Sequence, residues 1–152
     1  LMLKEPPTVS PADSLHQAMS ALKKLQKDAP NIQSLAVVDP VTKQLKGIIT
    51  LRRILAGLGK SVGHKLNTKS HSYWDHPELL SKLRQEAELV KVKDVMSRTV
   101  YQVKPYDTIS TAMAMMLDKK VRGVPVVENQ KVIGVIRIND IFEQVYTQLV
   151  GE

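Results

Sequence analysis

Hydrophobic and polar positions follow the same order of helical and strand periods twice along the chain. In each copy, apolar residues first recur at intervals of three and four, which places them on one face of a helix. Two short runs rich in Val, Ile and Leu follow, separated by turn-forming residues as in a β-hairpin. A second helical stretch ends each copy. The pattern predicts two units, each with a lead strand, a helix, two strands and a helix.

The two copies also match residue by residue. Residues 9–19 align without gaps on residues 103–113, and both segments read V-x-P-x-D-[ST]-[LI]-x-x-A-M. Further matches follow in the same order, 35–38 on 124–127 and 47–55 on 134–142. A recurrence with preserved order and spacing indicates an internal repeat.

Helix starts and buried positions follow from the repeated motif. Asp13-Ser14 and Asp107-Thr108 are helix N-cap signals, and Ser14 with Gln17 forms a capping box in the sequence. The methionines on the helices are predicted to be core residues and not metal or cofactor ligands. The positions predicted to face the core are Leu15, Ala18, Met19, Leu22 and Leu25 in the first copy, and Ile109, Ala112, Met113, Met116 and Leu117 in the second.

The hairpins and second helices have clear limits in the sequence. Turns are predicted at Asp39-Pro40 and at 128–130. The predicted strands are 35–38, 45–50, 124–127 and 132–136, and the predicted second helices are 51–58 and 139–149.

A stretch from Gly59 to Val90 separates the copies. Residues 59–76 are polar and indicate a loop. From Pro77 the apolar spacing predicts a short amphipathic helix, with Asp75 or His76 near its cap. The apolar positions of that helix are Leu79, Leu80, Leu83, Ala87 and Val90.

Two groups in this stretch suggest other chemistry. His64, His71 and His76, beside Asp75, allow a metal-site interpretation, but their spacing matches no compact ligand motif and we expect no metal. Tyr73-Trp74 is either an exposed partner surface or an anchor for the inserted segment. Anchoring is favoured.

Composition limits the class of protein. The chain has 152 residues, 43% of them hydrophobic, and no cysteine, which excludes disulfides and thiolate chemistry and fits a reducing, cytoplasmic location. Its apolar runs are far shorter than the roughly 20 residues that cross a bilayer, so no membrane association is expected. The net charge of +7 indicates either a lysine-rich solvated surface or a preference for anionic ligands. Because Leu1 falls almost on the first patterned segment, we expect a piece of a longer protein.

The sequence contains no phosphate-binding loop, no nucleophile elbow and no paired carboxylates at catalytic spacing. Catalysis therefore has no candidate residues, and we expect that the chain is not an enzyme.

The motifs of the second copy resemble the CBS domain, a family named after cystathionine β-synthase whose members usually occur as tandem pairs. The first copy matches less completely. The resembling motifs are Val95-Met96, Val103-x-Pro105, Thr108-Ile109-x-x-Ala112-x-x-x-Met116, Gly123-Val124-Pro125-Val126-Val127 and Gly134-Val135-Ile136 with Asp140. The resemblance implies an α/β (α+β) fold of two β-α-β-β-α units related by a pseudo-twofold axis. The implied domains are 1–58 and 91–152, joined by an inserted linker at 59–90 that carries a loop and a short helix.

The resemblance also implies a function. Many members bind AMP, ADP, ATP or S-adenosylmethionine in clefts between the repeats, and regulate an attached or separate enzyme or transporter. A homodimer is the expected assembly. The alternative is a scaffold that dimerises without a ligand. The positive charge also permits nucleic-acid binding, but no recognised motif supports it.

In the family pattern, the last strand of a unit leads to a hydroxyl residue and, three residues later, to an aspartate that accepts hydrogen bonds from ribose. Asp140 matches the aspartate and either binds ribose or caps a helix. Arg137 replaces the hydroxyl residue, and either pairs with phosphate, fills the cleft or lies on the surface. By position, base-recognition residues of the second copy are Thr99, Val100, Tyr101, Arg122, Gly123, Val124 and Pro125, with packing as the alternative.

The first copy keeps Thr50 at the hydroxyl position but carries Arg53 in place of the acid. Arginine has no acceptor for a ribose hydroxyl. This site is either degenerate, which is favoured, or directed to phosphate with Arg52 and Arg53 supplying charge. The sequence thus predicts one principal site, around Asp140.

Overall fold

The computed structural model describes residues 2–60 and 77–151. Its helices and strands follow the predicted order except at the start of the second copy, where a short helix and isolated bridges at Ser97 and Val103 replace the predicted lead strand. The first copy contains β1 (Leu3–Lys4), α1 (Leu15–Asp28), β2 (Ser34–Val38), β3 (Leu45–Thr50) and α2 (Leu51–Gly59). The connection contains α3 (Pro77–Leu89), and the second copy contains α4 (Val92–Val95), α5 (Ile109–Lys119), β4 (Gly123–Glu128), β5 (Lys131–Arg137) and α6 (Ile138–Leu149). The mixed helix and strand fold and the helix from Pro77 are therefore confirmed.

The remaining predictions for the inserted loop concern His64, His71, Tyr73, Trp74, Asp75 and His76, which lie outside the described residues.

Side-chain caps begin the first helix of each copy. Ser14 Oγ accepts the backbone N–H of Gln17 at 3.2 Å, and Gln17 Oε1 accepts the backbone N–H of Ser14 at 2.8 Å. The predicted capping box is confirmed. Thr108 Oγ1 likewise accepts the backbone N–H of Thr111 at 3.1 Å. These contacts satisfy N–H groups that have no partner inside the helix, and so define where α1 and α5 begin.

Each copy has its own hydrophobic cluster between the first helix and the strands. In the first copy, the buried positions of α1 pack against β2 and β3; in the second, those of α5 pack against β4 and α6. The central residues are Leu15, Ala18, Leu22, Leu35, Val37 and Ile49 in the first cluster, and Val103, Ala112, Met116, Val124, Val126 and Ile141 in the second.

Three residues predicted for the core lie at the surface instead. Met19 and Met113 are each 40% exposed, and Leu117 is 66% exposed. Each directly follows a buried residue, and consecutive helical positions are about 100° apart around the axis. The side chains therefore project beyond the edge of the buried stripe.

Helix α3 covers the helices of the first copy. It packs on α1 and α2 and buries Leu79 and Ala87. Within residues 2–60 and 77–151, no additional helix packs comparably on α5 and α6. Among these residues, the second copy thus has an open helical face on α5 and α6.

The two copies exchange the segments that lead into them. Strand β1 pairs antiparallel with β5 of the second copy, giving a sheet with the order β1-β5-β4. Correspondingly, Ser97 pairs with Ile48 of β3, with N–H to O distances of 2.8 and 2.9 Å. The sequence predicts a lead strand for each half but not its partner. Each lead segment covers a sheet edge of the other copy, which would otherwise expose unpaired backbone groups.

Two glycines at equivalent repeat positions allow this exchange. A Cβ on Gly134 would lie 2.8 Å from the carbonyl oxygen of Leu3, and one on Gly47 would lie 2.6 Å from that of Ser97. Met2 and Met96 pack beside the same glycines through their sulfur atoms. The close backbone approach therefore depends on the missing side chain.

We expect Gly47→Ala and Gly134→Ala each to lower the free energy of unfolding by about 1–3 kcal/mol, since the added methyl overlaps a backbone oxygen. Urea unfolding measures the change, with Lys46→Ala, an exposed neighbour on β3, as the control. If both glycine variants stay within about 0.5 kcal/mol of the unmodified chain, the crossing segments are not packed as described.

Candidate functional site

Among the described residues, the copies meet around two clefts that are each lined by residues of both, and around a smaller cavity of about 20 Å³. The Asp140 cleft, about 190 Å³ in volume, lies between the start of α6 and the connection from α1 to β2. The Thr50 cleft, about 320 Å³ in volume, lies between the start of α2 and the connection from α5 to β4. Asn31 and Arg122 line both. The clefts occupy equivalent places in the repeat but have different walls.

Asp140 is already engaged by the side chain three residues before it. Arg137 Nη2 donates to Asp140 Oδ1 at 2.7 Å, and Arg137 Nε donates to Oδ2 at 2.8 Å. The backbone N–H of Arg137 also donates to Oδ2, at 2.9 Å, so the carboxylate caps the start of α6. Hydrogen bonding to Asp140 raises the pKa of Arg137, although desolvation acts in the opposite direction. In this arrangement Asp140 acts as a helix cap, and Arg137 occupies acceptor positions of the carboxylate that a ribose would otherwise use.

Arg137 also connects the two copies. Its Nη1 donates to the backbone carbonyl of Asp28, the last residue of α1, at 3.0 Å. A cation is favoured at the C-terminal end of a helix, where carbonyl groups lack partners. The guanidinium therefore fills part of the Asp140 cleft wall and holds α6 against α1.

Thr50 and Arg53 have separate places in the first copy. Thr50 lines its cleft, and its hydroxyl accepts the backbone N–H of Arg53 at 3.1 Å as the cap of α2. Arg53 lines neither cleft, because its Nη1 donates to the carbonyl of Val95 at 3.1 Å, at the end of α4. Arg52 faces the Thr50 cleft instead.

Of the three ligand contacts predicted in the lead segment of the second copy, only one lines a cleft. Thr99 and Val100 are exposed and line neither cleft. Tyr101 is half-buried and lines the Thr50 cleft, because its segment has crossed to the first copy. Burial raises the pKa of Tyr101, and a hydrogen bond with Ser34 partly opposes that shift.

Three predicted residues of the proline-containing strand line neither the Asp140 cleft nor the Thr50 cleft, although Gly123 and Pro125 line the smaller cavity between the copies. Gly123, Val124 and Pro125 are buried in β4. A Cβ on Gly123 would overlap Ile32 Cδ1, so this glycine lets the connection after α1 close on the second copy. Arg122, just before the strand, is exposed and lines both clefts.

Lys120 is a cleft residue that the sequence patterns did not indicate. It follows α5 with φ +56° and ψ 45°, the left-handed conformation in which helices commonly end on glycine. A non-glycine residue in that conformation costs about 1–2 kcal/mol. A lysine directly after a helix is a weak sequence signal, since its backbone conformation is not visible in the sequence.

Within the described residues, no three His, Cys, Asp or Glu side chains are grouped as metal ligands. None of the helices described here is long and apolar enough to cross a membrane.

The family model of the CBS domain matches residues 1–60 and 92–146, which together make up most of the chain. The chain is a tandem pair of CBS domains. Among curated proteins, uncharacterized protein MJ1232 of Methanocaldococcus jannaschii is 36% identical to the pair over 56 residues, a match that covers 37% of this chain and 19% of that protein. The CBS pair therefore matches about a fifth of the length of that relative.

Solved structures share the fold of the CBS pair. CBSX2 of Arabidopsis thaliana, determined in complex with AMP, has a TM-score of 0.66 at 22% identity, covering 97% of this chain and 94% of CBSX2. A putative acetoin utilization protein, AcuB, of Vibrio cholerae has a TM-score of 0.63 at 23% identity, covering 98% and 88%. These likenesses support the tandem arrangement across nearly the whole chain.

We expect Asp140→Asn to destabilise the CBS pair by about 1–2 kcal/mol, because it removes a charge-assisted pair and an acid at a helix N-terminus. Urea unfolding without ligand measures the loss. Glu143→Gln, which removes an exposed acid from the same helix, is the control and should change little. Equal stabilities for both variants would contradict the capping role of Asp140.

Proposed function

We propose that this CBS pair is a regulatory module that binds an adenine nucleotide or another adenosyl compound between its repeats and signals occupancy to a partner domain or an oligomer. The proposal is supported mainly by one observation: residues of both copies line each of the two clefts. A ligand in either cleft contacts both halves, so its binding energy depends on how they pack. A ligand shifts a conformational equilibrium only by such differential contacts.

The composition of the clefts supports an anionic ligand. Arg122 is exposed at the boundary of both clefts, and the Thr50 cleft adds Arg52 and Lys120. Arginine and lysine donate to phosphate, arginine in bidentate fashion. The complex of CBSX2 with AMP adds support from a protein of the same fold.

The proposal predicts thermal stabilisation by adenosyl compounds. At about a hundred times its dissociation constant, a ligand that binds only the folded chain adds roughly 2.7 kcal/mol. For a chain of this length that is roughly 5–10 °C in Tm. A thermal-shift panel of AMP, ADP, ATP and S-adenosylmethionine, with guanine nucleotides for comparison, measures it. The sensor function is wrong if no adenosyl compound raises Tm.

A second function, a dimerisation scaffold, is favoured by the open helical face of the second copy. Phe142 and Leu149 on α6 are 64% and 79% exposed, and Leu117 of the contacting helix α5 is 66% exposed. Although the chain carries a net charge of +7, residues 138–152 contain no Lys or Arg. Two copies can therefore meet along α6 without opposing cations, which makes a second copy the expected occupant of this apolar face.

We expect the CBS pair to be a dimer that Phe142→Asp converts to a monomer, because the substitution places a charge in an apolar interface. Sedimentation velocity across a concentration series measures the assembly. Val41→Asp, at an 86% exposed position in the first hairpin, is the matched control and should remain dimeric. A monomeric unmodified chain at all concentrations would contradict the scaffold function.

A further inference from the structure

We propose that the Thr50 cleft, and not the Asp140 cleft, is the principal ligand site and that it selects an adenine nucleotide with two or three phosphates. This proposal rests on the proposed function, which supplies the adenosyl ligand. It adds the number of phosphates on that ligand and the cleft that binds it.

The charges of the two clefts are opposite in character. Arg52, Lys120 and Arg122 line the Thr50 cleft, and no Asp or Glu is among its lining residues. None of these three cations forms an ion pair with another described residue. In contrast, carboxylates line the Asp140 cleft, and one of its two arginines is paired with Asp140. The Thr50 cleft therefore accommodates more negative charge than a monophosphate carries.

The helix that begins at the Thr50 cleft adds to this field. Helix α2 has no acidic residue in its first turn, whereas Asp140 lies in the first turn of α6. The positive end of the helix dipole is thus uncompensated at Thr50 and neutralised at Arg137. The helix dipole therefore stabilises a bound anion more at the start of α2 than at the start of α6.

Lys120 contributes a cation to the cleft from the position directly after α5. Its left-handed backbone suits glycine but also occurs at Lys43 and Gln130, outside the cleft, so its charge and position are what link it to the ligand. Tyr101, half-buried in the same cleft, supplies an aromatic surface for a base. The cleft thus combines cations for phosphates with an apolar wall.

Because no carboxylate of the described residues lines the Thr50 cleft, the cleft has no side chain of the kind that usually holds Mg²⁺. Mg²⁺ is usually held by one or two carboxylates together with substrate phosphates. Here the cations themselves neutralise the phosphates, so binding should not require the metal.

Isothermal titration with AMP, ATP, S-adenosylmethionine and inorganic tripolyphosphate, each with magnesium and with EDTA, tests the proposal. We expect ATP to bind at least about tenfold more tightly than AMP or S-adenosylmethionine, both with magnesium and with EDTA. The affinity for ATP should fall as salt is added. Lys120→Gly should lower the affinity for ATP about tenfold, because it removes a cation from the cleft. The same variant should raise Tm, because glycine adopts the left-handed backbone conformation without a steric cost.

Two further variants separate the cleft from the net charge. Arg52→Gln should lower the affinity for ATP as Lys120→Gly does. Lys119 is an exposed neighbour that lines neither cleft, so Lys119→Gln should leave the affinity for ATP unchanged. Unchanged ATP affinity in Arg52→Gln and Lys120→Gly would overturn the location of the site.

The remaining outcomes have separate meanings. Equal affinities for AMP and ATP, an absolute requirement for magnesium, or tripolyphosphate binding as tightly as ATP would overturn the selectivity while leaving the sensor function intact. No binding of any adenosyl compound would overturn the proposed function itself.

Discussion

The exchange of lead segments between the copies is the constraint on which the rest of the structure depends. Backbone hydrogen bonds join Leu3 to the second sheet and Ser97 to the first, and glycine at 47 and 134 leaves room for both crossings. Because each half completes a sheet edge of the other, neither forms its full set of pairs alone. The clefts exist only where the interlocked halves meet, and the crossing brings Tyr101 to the cleft of Thr50.

Much of the fold could be predicted because it is encoded locally. The repeat, the caps at Ser14 and Thr108, the hairpins and the helix from Pro77 all follow from short-range patterns, and the structure confirms them. The partner of each lead segment could not be predicted, since backbone pairing leaves little trace in side chains. One signal was available: Met2 precedes Val9 by the same spacing as Met96 precedes Val103, and both methionines pack beside the crossing glycines.

The site was less predictable because side-chain direction depends on neighbours distant in sequence. The three-residue spacing of Arg137 and Asp140 is compatible with a pair between a helix cap and the third residue of the helix, and the structure has that pair. The direction of Arg53 toward Val95 and the backbone conformation of Lys120 had no comparable signal. As a result, some of the residues assigned by motif to one site around Asp140 are divided between two clefts of different charge, and the others line neither.

The proposed function requires that a ligand between the copies stabilise the way the two halves pack, and the crossing segments are part of that packing. Amide hydrogen exchange at Ile48 and Ser97, with and without saturating ATP, tests it most directly, because these amides form the hydrogen bonds that join the halves. The account predicts markedly slower exchange at both amides when ATP is bound. Unchanged exchange at both positions, under conditions where ATP binding is measured independently, would contradict it.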